Sequence, residues 1–87
     1  MKKMDETLYQ KLAADPGQSV ALIIRTQGDP APHLARLEEL GLQVGRQFKL
    51  LPSVSATGPA GAALKLLEED WVEKIEEDRP VRTMSGQ

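Results

Sequence analysis

The run "SVALIIRT", residues 19–26, constrains this chain more than any other stretch. Val20 to Ile24 is an unbroken apolar series rich in strand-forming residues, with Pro16-Gly17 before it and Gly28-Asp29-Pro30 after it. Such a run suits a central strand covered on at least one face. The chain has 87 residues, room for one domain with a small core and little margin. Whatever covers this strand must therefore come from a few short elements nearby.

Those elements can be read in order. "MDETLYQKLAAD" places Leu8 and Leu12 four residues apart with acids early, which predicts a short helix closed by Asp15-Pro16-Gly17. "DPAPHLARLEELG" predicts a second helix. Asp29 is its cap, Pro30 opens it, Leu34, Leu37 and Leu40 form its apolar stripe, and Gly41 ends it in a left-handed conformation. "LQVGRQFKLLP" alternates, with Leu42, Val44, Phe48 and Leu50 expected on one face and Gln43, Gln47 and Lys49 on the other. Arg46 interrupts that apolar face, as near a sheet edge, and Pro52 ends the strand. "SVSAT" resumes as a strand with Val54 and Ala56 inward. In "TGPAGAALKLLEED", Thr57 or Gly58 caps a further helix, Pro59 opens it, and Ala60, Ala63, Leu64 and Leu67 recur at helical spacing.

The segment after it reads two ways. Leu64, Leu67, Trp71 and Ile75 continue the helical period as far as Asp78, and the propensity of "EEDWVEKIEED" agrees. The order of elements favours a strand instead. Strand, helix, strand, strand, helix lacks one strand to complete a split βαβ sandwich, and that strand pairs beside the first.

Composition excludes several kinds of chemistry. The chain has no cysteine, which removes disulfides, thiolate metal sites and cysteine nucleophiles. A net charge of −2 argues against binding a nucleic-acid backbone. His33, the single histidine, reads as a surface residue, since nothing positions a Ser-His-Asp set around it, and no metal-ligand spacing occurs. "GPAG" matches the G-x-x-G of an RNA-binding loop, but Pro59 makes it a helix start. The chain contains no asparagine, so acylphosphatase chemistry, which the fold would allow, lacks its essential side chain. Trp71 reads as a lid on the core. Met1-Lys2-Lys3 could begin a signal peptide, but Asp5 and Glu6 follow instead of an apolar core. The expectations are therefore no enzyme activity, no cofactor, no metal and no membrane span. A cytoplasmic location is expected unless the chain is an excised piece.

"SVALIIRT", "HLARLEELG", "QFKLLPSVSAT" and "AALKLLEEDWVEKIEEDRPV" resemble, in order and spacing, the propeptides of subtilisin-like serine proteases and the free-standing inhibitors of the same type. The sharpest match is "LLEEDWVEKIEEDRPVRTM", with Leu67, Asp70, Val72, Ile75, Glu76, Glu77 and Asp78 in the family's places. The resemblance implies an α+β ferredoxin-like two-layer sandwich, βαββαβ with a four-stranded antiparallel sheet, plus a short N-terminal helix. It implies that the last helix ends near Glu69 and that Val72 to Glu77 is the fourth strand. The divisions expected are residues 1–17 as a helical extension, 18–78 as the inhibitor domain and 79–87 as an extended tail.

The resemblance further implies inhibition of a subtilisin-like serine protease, with assistance to that enzyme's folding as an additional role. The sheet docks on the enzyme, and Glu76 and Asp78 cap the N-termini of two of its surface helices. Spacing by two puts both carboxylates on one face of an extended chain. The tail enters the active-site cleft like a product, with Met84 in the primary specificity pocket, Val81 in an apolar pocket, and Arg82 and Thr83 between them. The free protein is expected to be a monomer. The competing reading is a ferredoxin-like module that senses a small molecule or drives oligomerisation, with no protease partner.

Overall fold

In a computed structural model, the structure describes residues 3–48 and 50–78. Helix α1 spans Glu6–Ala14, β1 Ser19–Thr26, α2 Leu34–Glu39, β2 Gln43–Phe48, β3 Ser53–Pro59, α3 Ala60–Lys65 and β4 Val72–Glu77. The four strands form one antiparallel sheet in the order β2-β3-β1-β4, the ferredoxin-like arrangement. The "WVEKIEE" segment is thus a strand, paired to β1 by Ile24 opposite Ile75 and Leu22 opposite Glu77.

The central strand behaves as its sequence requires. Val20, Leu22, Ile24 and Thr26 are buried beneath the helices, while Ala21, Ile23 and Arg25 alternate onto the other face. Across β1, Val54 and Ala56 of β3 and Ile75 of β4 complete the inner face, and Leu12, Leu37 and Leu66 close over it from the helices. Thr26 is a buried polar residue, and its hydroxyl donates to the Gly28 carbonyl at 2.7 Å, so its burial leaves no orphan donor.

Helix α1 belongs to the same core. The Asp5 carboxylate accepts from the Thr7 amide at 3.0 Å and caps it, and Leu8 and Leu12 are buried against the remainder. Before it, Met4 makes a parallel bridge to Ile75, and the Ile75 amide donates to the Lys3 carbonyl at 2.6 Å.

Three local expectations are corrected. The chain enters α2 through a 3-10 turn, Ala31–His33, and Asp29 holds the Ala31 amide at 3.0 Å ahead of that turn. Helix α3 is capped by neither Thr57 nor Gly58. Its Ala60 and Gly61 amides donate to the carbonyls of Gln18 (2.8 Å) and Pro16 (2.9 Å), so the loop before β1 satisfies them. The helix then tightens into a 3-10 turn, Leu66–Glu68, which turns Leu66 rather than Leu67 fully inward.

A fourth correction bears on function. From Val44 to Gln47, β2 advances three residues while its partners on β3, Ala56 and Val54, are two apart. The additional residue is a β-bulge at Gly45-Arg46, where the Arg46 amide donates to Ser55 Oγ at 2.7 Å. A one-residue insertion reverses the alternation beyond it. Val44 therefore faces the core with Ala56, while Phe48, opposite Ser53, faces away from the helices. Leu50 lies outside the strand and is fully exposed.

Candidate functional site

One face of the sheet carries the helices. No described helix or strand covers the opposite face, and strand register dictates what it presents. Ile23 stands at its centre, opposite Ser55 on β3 and Glu76 on β4. Arg25 lies between Ser53 and Lys74, and Ala21 lies opposite Thr57. Beside Ile23, the bulge delivers Phe48, and Ile23, Phe48, Leu50, Leu51 and Ser53 line a shallow apolar depression. Leu51 is well exposed. A second depression, lined by Ile23, Arg46, Phe48, Ser55 and Asp78, continues from it toward the end of β4.

Glu76 and Asp78 share this face. Glu76 stands across from Ile23, and the Asp78 amide donates to the Ala21 carbonyl at 2.8 Å, so the β1 pairing runs one residue past the strand. Glu76 is half-exposed with Lys74 Nζ at 3.3 Å. Glu77 points to the helix side, where Lys11 Nζ of α1 meets its Oε2 at 2.6 Å. The two carboxylates therefore stand on the rim of an apolar surface, and the residue between them is engaged elsewhere. A carboxylate so placed can accept hydrogen bonds from the free amides at another helix's N-terminus and meet the positive end of its dipole.

A separate cluster lies at the turn between α3 and β4. Arg36 of α2 donates to Glu69 Oε2 through Nη2 at 3.0 Å and Nε at 3.3 Å, and Trp71 Nε1 donates to Glu69 Oε1 at 2.9 Å. The hydrogen bonds from Arg36, then from Trp71, hold the Glu69 carboxyl below its ordinary value against the effect of its own desolvation. Glu69 in turn raises Arg36. His33 and Trp71 stack with ring centroids 4.2 Å apart and planes 3° from parallel. His33 is thus half-buried against Trp71 rather than a plain surface residue. This cluster fastens α2 to the start of β4, and Trp71 packs on the core as a lid.

Among the described residues, no group of three or more His, Asp or Glu side chains is arranged to hold a metal ion. No described helix is long and apolar enough to cross a membrane. Val81, Arg82, Thr83 and Met84, the expected cleft residues, lie outside the described residues.

Sequence reasoning placed Glu76 and Asp78 on one face of the last strand but missed Phe48, Ile23, Leu50 and Leu51 as members of the same face. For Phe48 the available signal was Gly45 inside a strand pattern, which marks a bulge. For Ile23 it was the unbroken apolar run itself, which places an apolar side chain on both faces of β1.

No protein-family model matches this chain, and no curated protein is significantly similar to it.

Proposed function

We propose that this protein binds and inhibits a subtilisin-like serine protease through the uncovered face of its sheet. The observation that carries the reading is the placement of Glu76 and Asp78. They stand together on that face, beside the apolar Ile23–Phe48 surface, at the point where β4 leads into residues 79–87. In the complex, Ile23 and Phe48 lie against two surface helices of the enzyme. Glu76 and Asp78 accept the orphan amides at the ends of those helices, each contact contributing about 0.3–1 kcal/mol when exposed and up to ~2 when partly buried. An interface of standard size, about 1,600 Å² in total, requires both the sheet face and the tail.

The tail supplies the inhibition. It adds as a strand to the edge of the enzyme's cleft, where backbone hydrogen bonds give affinity and alternate pockets give specificity. Val81 and Met84 fill apolar pockets and Arg82 faces solvent. Pro80 restricts the approaching chain and lowers the entropy lost on binding. The same docking, made while the enzyme folds, would also let this domain assist that folding.

The deciding experiment is titration of a bacterial subtilisin with this protein, following cleavage of a chromogenic peptide. Tight inhibition is expected, reduced by Glu76→Ala and Asp78→Ala without loss of fold. Parent-like inhibition by both variants would remove the capping role. Rapid digestion of the parent without inhibition would remove the protease reading.

A further inference from the structure

Residues 3–14 lie outside the βαββαβ order, yet they grip β4 along its length. The Lys3 carbonyl takes the Ile75 amide at 2.6 Å, and Met4 bridges to Ile75 in the parallel sense. Lys3 Nζ donates to the Glu69 carbonyl at 2.6 Å, ahead of the strand, and Lys11 Nζ meets Glu77 Oε2 at 2.6 Å at its far end. Both lysines reach a residue 66 positions further on, so the segment runs alongside β4 in the same direction. Leu8 and the fully buried Leu12 anchor it in the core.

Strand β4 needs such help. Among the described strands it pairs with β1 alone, and its buried side chains are Val72 and Ile75. A short edge strand with two anchors opens easily. Disorder in β4 would spread Glu76 and Asp78 over many positions, and ordering them on contact would be subtracted from the binding energy.

We propose that residues 3–14 act as a clasp that fixes β4 in the free protein and so holds Glu76 and Asp78 ready for docking. The clasp itself stands on the contacts above, and its link to docking rests on the function proposed in the preceding subsection. Lys3, Met4 and Lys11 are positioning residues that touch no partner.

Native-state hydrogen exchange on the full chain, without any protease, tests it. The Ile75 amide is expected to exchange as slowly as amides of the β1–β3 ladder, because Lys3 covers it. Leu8→Ala is expected to speed Ile75 at least about tenfold more than it speeds that ladder. The gentler Lys11→Gln, which leaves the core intact, should act in the same direction on Asp78, whose amide is held by the Ala21 carbonyl. Fast exchange of Ile75 in the parent, or equal acceleration of every strand, would overturn the clasp. Inhibition assays on the same proteins keep the two ideas apart. A parent that fails to inhibit subtilisin ends the docking reading, while the clasp is judged on exchange alone.

Discussion

Glu69 receives Arg36 through two nitrogens and Trp71 through its indole, and its carboxyl is held below the ordinary value. A depressed carboxyl stabilises the fold fully above the unfolded value of about 4.3 and loses that contribution as the pH falls through the lower folded value. Acid should therefore weaken the parent across that window more steeply than it weakens Glu69→Gln, as denaturant midpoints from pH 5 to pH 2 would reveal. At Gly58 the constraint is space. A Cβ there would stand 2.8 Å from the Gly41 carbonyl oxygen and 2.9 Å from Leu42 Cδ2. Gly58→Ala is expected to destabilise by about 1–3 kcal/mol in urea unfolding, because backbone must give way. Ile23 and Ile24 are adjacent in sequence but belong to different faces. Ile24→Ala removes a fully buried side chain and should cost about 2–5 kcal/mol. Phe48→Ser, on the face away from the helices, should cost under about 1 kcal/mol while weakening the proposed inhibition of subtilisin. Equal losses of stability at the two positions would contradict the face assignment.

Among the elements, β1 was legible because a continuous apolar run with turn residues at both ends has few alternatives. Strand β4 was not legible from period alone. Leu64, Leu67, Trp71 and Ile75 keep helical spacing, and only the order of elements and the family resemblance chose the strand. What overrides the helical propensity is tertiary pairing, with β1 on one side and Lys3–Met4 on the other. Strand β2 misled for a different reason. Its alternation holds up to Val44, and the bulge that reverses it depends on a bond to Ser55, nine residues further along. Asp5 of α1 was a plain signal, an acid before a short helix. Asp5→Ala should lower stability by about 0.5–2 kcal/mol, read from the urea midpoint, since it frees the Thr7 amide.

At the scale of the whole molecule, helices and strands divide the labour. The helix layer holds the apolar mass, and the uncovered sheet face holds the acids and the Ile23–Phe48 surface. Deleting residues 79–87 should leave the urea transition in place, because the buried core of the described residues lies within residues 4–75, while abolishing the proposed inhibition of subtilisin. A truncated chain that still inhibits would move the inhibitory contact onto the sheet itself. The borders of the sheet carry a different consequence. Sheets grow into fibrils by offering a straight row of unpaired amides and carbonyls to another copy. Here one border is occupied in part by Lys3–Met4, and the other is bent out of line at Gly45-Arg46. Each denies a neighbouring molecule the flat template that fibrillation needs. Loss of either device, through clipping of the N-terminus or straightening of the bulge, would expose the protein to aggregation on storage at high concentration.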